Sequence, residues 1–431
     1  MKQVLAQRQE KTIGFMLDTK GPALLTGTLK EGKPVELRAG QTYQIVIDSA
    51  IEGDATRVAT DYKELCETVQ LGSRILIDNG ALECEVTEVA ENGVMVEVKN
   101  NYILGEKRPM HLPGAHLDLP VLNSKDELDI VEFAVKGKLE MVAVSLVRSQ
   151  ENIETVRELL ARSNASDIQV IAKIENLEGL NNYEEILAAA DGIMIMRQSM
   201  ALELPPEKVF IAQKWMIEKA NLAAKPVICA SQIFDSMIDN ERPTDQEASD
   251  ISTCIFDGAD AILLNEETSN GEHPVKAVSF LSKICAEAER CIDYKATYMD
   301  LKKLTPQNSM SFAEGLAATS VKTSQNLSVD MIVVQTENGL LPRFVAKYRP
   351  SVPILAISED PRVITQLSTS RGIIGYLLDS NAAESPWQQA KEYAKSANLC
   401  KTGRKALYLH GMTDDPTQID ELAMKELIDI D

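Results

Sequence analysis

Between residues 115 and 300 the chain repeats one pattern: a short continuous apolar run, then a longer segment of helical period. The runs are Met141–Leu146, Gln169–Ile174, Gly192–Met196, Pro226–Ala230 and Ala261–Leu264, with helical stretches such as Glu151–Arg162 and Glu207–Leu222 between them. A strand that is apolar at every position is buried on both faces, and a sheet covered on both faces by helices is parallel. With the strand expected at Ile13–Leu17, six βα units are visible. A closed βα barrel uses eight strands. The expected fold is therefore a TIM-type (β/α) barrel lacking its first two βα units. The reading of Met1–Lys11 as the last turns of a helix places the gap at the N-terminal side.

Residues 28–114 follow a different period. Val35–Arg38, Thr42–Ile47 and Ala81–Val89 alternate every second residue, and Glu91–Gly93 reads as a turn. This predicts a small antiparallel β-barrel domain inserted after the first visible strand. Beyond residue 300 the α/β alternation resumes, with helices expected at Ser311–Gln325 and Pro342–Tyr348. Strands are expected at Met331–Gln335, Ile354–Ile357, Ile373–Leu378 and Ala406–His410, and the tail Pro416–Asp431 reads as helix. The expected domains are 1–27 with 115–300 for the incomplete barrel, 28–114 for the insertion and 301–431 for a C-terminal α/β domain.

The formal net charge of −21 repels nucleic acid and anionic lipid, so neither is expected as a partner. No run approaches the ~18 apolar residues of a membrane span. The seven cysteines form no CxxC pair, which suits free thiols in a reducing compartment, so a cytoplasmic protein is expected. Gly27–Pro34 comes one residue short of a phosphate-binding loop, but Pro34 stands where a hydroxyl is needed and no helix follows.

Barrel sites sit at the C-terminal ends of strands. There the sequence places Asp18, Thr19, Lys20, then Ser145 and Arg148, then Lys173, Glu175, Asn176, Arg197, Ser231, Gln232 and Asn265–Thr268. Lys173 and Glu175 are two apart and share a strand face. They suit a clamp for a substrate anion and a divalent metal, or a buried structural ion pair. Asp18 taken alone reads as a helix cap, Ser231 as a packing hydroxyl and Arg148 as a helix-end charge.

The motifs LDTKGP (17–22), HLPG with DLP (111–120), AVSLVRS (143–149), AKIEN with EG (172–179), EKVFIAQK (207–214), KPVICASQ (225–232), RPTDQEASD (242–250) and DGADAILLNEET (257–268) resemble those of the pyruvate kinase family, in order and spacing. KYRPSVPILAIS (347–358) and RGI (371–373) extend the resemblance into the last domain. It implies phosphoryl transfer from phosphoenolpyruvate to ADP, giving pyruvate and ATP, with Mg²⁺ or Mn²⁺ and K⁺. It also implies a homotetramer, and an inserted β domain acting as a lid. By this resemblance Lys173 stabilises the phosphoryl group and the enolate, Glu175 ligates Mg²⁺, and Asp18 and Thr19 belong to the K⁺ site. Ser231 lies near the carbon that is protonated, Arg148 is catalytic and Lys107 faces the nucleotide.

The sequence also departs from the family. The ARGDLG segment reads Met196–Ala201, so Ser199 replaces the second carboxylate ligand of Mg²⁺ and Gln198 replaces a glycine beside the substrate. Leu25 and Ala23 replace Arg and Glu, and nothing matches the family's upstream Arg and NFSHG motif. The turn Thr336–Leu341 lacks the Ser/Thr-rich phosphate cradle of members activated by sugar phosphates. The expectation is an impaired phosphotransferase. The alternatives are a non-catalytic binding or regulatory subunit and a truncated gene product.

Overall fold

The computed structural model describes residues 12–306, 310–401, 403–410 and 424–430. Six parallel strands form one sheet in chain order: Met16–Asp18, Met141–Val144, Gln169–Ile174, Gly192–Met196, Val227–Ala230 and Ala261–Leu263. Among the described residues this sheet does not close, and Met16–Asp18 and Ala261–Leu263 are its two ends. The expected helix at Met1–Lys11 lies outside the described residues.

The strand pleat decides which side chains reach the barrel interior. Val142, Val144, Val170, Ala172, Ile174, Ile193, Ile195, Val227 and Cys229 pack outward against the helix layer. Met141, Ala143, Ile171, Met194, Ile228 and Ala230 form a separate inner cluster. The helix Gln150–Arg162 meets the outer layer through Ile153, Val156 and Leu160, a stripe at helical spacing.

The insertion is a seven-stranded sheet that also takes in Leu24–Leu25, ahead of residue 28. It is antiparallel except for one pair, in which Thr42–Val46 runs parallel to Arg57–Ala59. Tyr43, Ile45, Ile75, Val94 and Val96 fill its core.

The C-terminal sheet has the order Ile373–Leu377, Ile354–Ser358, Met331–Gln335, Arg404–His410, Met424–Ile430. Its last strand corrects the helical reading of the tail. Met424–Ile430 pairs antiparallel with Arg404–His410 over seven residues. The segment carries both periods: Met424, Leu427 and Ile428 suit a helix, while Glu426, Ile428 and Ile430 suit a strand. The open edge of Arg404–His410 selects the strand. Residues 411–423 lie outside the described part.

Candidate active site

Continuing the pleat past the inner cluster predicts which strand-end residues face the barrel mouth. Two residues beyond Ile171 on the same face is Lys173, and two beyond Ala143 is Ser145. Both are buried. They line a cleft of about 280 Å³ together with Asp18, Thr19, Glu175, Asn176, Ser199 and Glu203. From the inserted domain, Pro109, Met110, His111 and Leu112 line its other side.

The Lys173 ammonium is the centre of this cluster. It donates to Asp18 Oδ1 at 2.9 Å and to Ser145 Oγ at 2.9 Å, and lies 3.5 Å from Glu175 Oε1. Burial alone disfavours its charge, but the Glu175 and Asp18 carboxylates outweigh that and hold the amine above the ordinary lysine value. Asp18 is the open member, its side chain 51% exposed against 8% for Lys173 and 15% for Glu175. Ser145 donates its hydroxyl to Thr19 O at 2.7 Å, and its N–H donates to Thr19 Oγ1 at 3.0 Å.

Loop geometry fixes these groups. Buried Asp126 accepts from the N–H groups of Lys20 and Gly21, at 2.9 and 3.1 Å, which pins the turn after the first strand. Gly21 has φ +72, and a Cβ there would come within 2.6 Å of Ser145 Cβ, so the close approach needs glycine. Leu146 is left-handed (φ +52), a conformation that costs a non-glycine residue about 1–2 kcal/mol. In that conformation its N–H donates to Glu175 Oε1 at 3.1 Å.

The residues do not fit a divalent ion held by paired carboxylates. Glu175 Oε1 already faces the Leu146 N–H and Lys173, and Oε2 accepts from the Ser199 hydroxyl at 3.3 Å. Ser199 thus stands beside Glu175 with a neutral hydroxyl and adds no second carboxylate there. Among the described residues no group of three or more His, Cys, Asp or Glu is placed to hold a metal. Thr19 and Asp18, expected at a K⁺ site, accept hydrogen bonds from Ser145 and Lys173.

Four expected site residues lie elsewhere. Arg148 is buried, and its two terminal nitrogens donate to the carbonyls of Leu117 and Leu119, so it fastens the returning chain and does not line the cleft. Ser231 is also buried and outside the lining. Ser231 and Gln232 are both left-handed (φ +69 and +53), and Arg197 grips their two carbonyls at 2.7–3.2 Å. Arg197 also pairs with Asp250 at 2.5 Å. Gln198, expected beside the substrate, is exposed and outside the lining. Lys107 is exposed as well, in a left-handed turn whose N–H donates to Gly27 O at 3.1 Å.

Two lining residues escaped the sequence reading. Glu203 is a carboxylate set between Leu202 and Leu204. Burial raises its pKa, opposed by N–H donation from Gly114 (3.0 Å) and Leu177. His111 was visible only as part of the HLPG motif.

Comparison with known proteins agrees with this architecture. The chain matches the pyruvate kinase barrel domain over residues 1–278 and the pyruvate kinase alpha/beta domain over 314–420. It is 40% identical over 416 residues to the pyruvate kinase of Eimeria tenella, covering 96% of this chain and 78% of the relative. Against that of Dictyostelium discoideum it is 39% identical over 417 residues, covering 95% and 81%. A crystal structure of a pyruvate kinase from Cryptosporidium parvum superposes with a TM-score of 0.94 at 36% identity, over 100% of this chain and 86% of that one. Another structure of the Cryptosporidium parvum enzyme, in complex with ADP, gives 0.88 at 35% identity, over 100% and 86%. A match that runs through both domains and extends over nearly the whole chain places it: this chain belongs to the pyruvate kinase family.

Proposed function

We propose that this chain keeps the anion-gathering half of a pyruvate kinase site and performs phosphoryl transfer between phosphoenolpyruvate and ADP weakly. The observation that carries this reading is the Ser199 hydroxyl 3.3 Å from Glu175 Oε2, at the position of a second carboxylate.

Transfer of a phosphoryl group is mainly positioning and neutralisation of spread negative charge. In the family a divalent ion supplies most of that neutralisation when bound. Here the task falls to Lys173, which is buried, cationic and aimed into the cleft. Its ammonium can hold a phosphoryl oxygen and then the enolate oxygen left after P–O cleavage. The inserted sheet, reaching the cleft through Pro109–Leu112, can exclude water from the reacting groups. Ser231, buried off the lining, offers no hydroxyl to the enolate carbon. Nucleotide binding on this fold is supported by the relative solved with ADP.

Loss of one charged contact in such a site costs about 3 kcal/mol, roughly a hundredfold in rate. Pyruvate release, followed with a coupled dehydrogenase in the presence of phosphoenolpyruvate, ADP, Mg²⁺ and K⁺, tests the reading. Turnover at or below about 0.1 s⁻¹ is expected, and turnover in the ordinary enzyme range of about 1–10³ s⁻¹ refutes it.

A further inference from the structure

The inserted domain brings one more polar group to the cleft. His111 ends the short strand Pro109–His111, whose partners are Leu76 and Ile77 on one side and Leu24 and Leu25 on the other. Met110 and Leu112 are buried in the core of that domain. The pleat therefore sends His111 to the opposite face from Met110 and Leu112, and His111 is among the residues that line the cleft with Lys173 and Asp18.

The His111 ring is half-buried, and its Nε2 is enclosed without a hydrogen-bond partner. An enclosed, unpaired polar nitrogen costs about 1–3 kcal/mol. Native structures pair most such groups, with protein, with water or with a ligand. The other cleft-facing groups around Lys173 are tied to one another: Asp18 and Ser145 accept from the ammonium, and Ser199 donates to Glu175. His111 is thus a lining group with bonding capacity to spare. Burial also holds its imidazole below the usual histidine pKa, so near neutral pH it carries one N–H and no charge. Rotation about Cβ–Cγ, a soft twofold torsion, moves Nε2 to the opposite side of the ring axis.

We propose that His111 is a ligand-contacting residue of this cleft, its imidazole donating a hydrogen bond from the inserted domain to a carboxylate or phosphate oxygen of the bound anion. This rests on the anion-binding reading above and adds to it that the inserted domain recognises the ligand directly. Lys173 holds the anion from the barrel side, and His111 closes on it from the other.

The chain has four histidines, so the imidazole ¹⁵N spectrum of the full-length protein can be assigned by replacing His116, His273 and His410 in turn. The probe is phosphoenolpyruvate without ADP, and its affinity is measured by calorimetry on the same samples. The expected result is a shift of the His111 nitrogens that saturates with the calorimetric isotherm, with His273 and His410 unmoved. Binding by His111→Phe and His111→Ala, neither of which has a side-chain donor, should be weaker by about tenfold or more, the loss of one hydrogen bond to a charged acceptor. If phosphoenolpyruvate binds while the His111 signals stay fixed and both variants bind normally, the inference fails and the anion site stands. If the unaltered protein shows no binding, both fail together.

Discussion

Ser199→Asp puts the account to its most demanding test, because two effects with opposite dependence on metal must appear together. The Ser199 hydroxyl lies 3.3 Å from Glu175 Oε2. A carboxylate in its place would stand about 4 Å from Glu175, where two like charges repel by about 4 kcal/mol at an effective dielectric of 20. The cleft opens to water near Asp18, and screening should reduce this to about 2 kcal/mol. Without divalent ions the variant should therefore melt several degrees below the parent chain. With Mg²⁺ added, the paired carboxylates gain a ligand that binds only the folded state, so the deficit should close. The parent chain, with a hydroxyl at that place, should barely respond. Differential scanning calorimetry in EDTA and in a Mg²⁺ series reads both effects, and the coupled assay should show about a hundredfold gain for the variant. If the variant's melting temperature ignores Mg²⁺, or the parent's rises as steeply, Ser199 is not the missing ligand and the reasoning is wrong.

Other expectations follow from particular contacts. Lys173→Met should abolish phosphoenolpyruvate binding by calorimetry. In the unaltered chain, binding should stay flat from neutral pH up to the ordinary lysine range, because an amine whose pKa is raised keeps its proton until the pH passes that higher value. Glu203→Gln should raise the melting temperature at pH 8, with the gain vanishing below the normal carboxylate range. The sign follows from the raised pKa of Glu203: burial penalises its charged form, so that form destabilises the fold as pH rises. Arg148→Ala should lower stability by about 2–4 kcal/mol and speed proteolytic cleavage near 113–120, since the carbonyls of Leu117 and Leu119 lose their donor. Lys347→Met should cost about 3–5 kcal/mol in a melting experiment, because it strands buried Glu314, which accepts from Lys347 Nζ at 2.5 Å and Tyr348 Oη at 3.0 Å.

The parts of this molecule that could be read from sequence are those governed by local period. Continuous apolar runs located every strand of the parallel sheet, while the spacing of Lys173 and Glu175 left a ligand clamp and a structural ion pair both open, and Glu175 lies one residue past the end of the strand Gln169–Ile174. The run Met141–Leu146 was read two residues too long, because Leu146 takes a left-handed turn that no period reveals. The same kind of turn holds Ser231 away from the cleft lining, and the clamp that maintains it, Arg197, lies 34 residues upstream. The partners of Arg148 are backbone carbonyls, which leave no trace in residue identity. Glu203 and His111 were overlooked because each earns its place through tertiary folding: one buried carboxylate, and one strand of an inserted sheet turned toward a distant site. No helix among the described residues is long and apolar enough to cross a membrane.

Mn²⁺ binding followed by electron paramagnetic resonance, on the full chain with saturating phosphoenolpyruvate and no nucleotide, tests the central claim most directly. A cleft with Glu175 beside a hydroxyl predicts no site tighter than about millimolar, since sites of this kind depend on very few carboxylates. One Mn²⁺ per chain held at micromolar affinity, and lost in Glu175→Gln, would contradict the account.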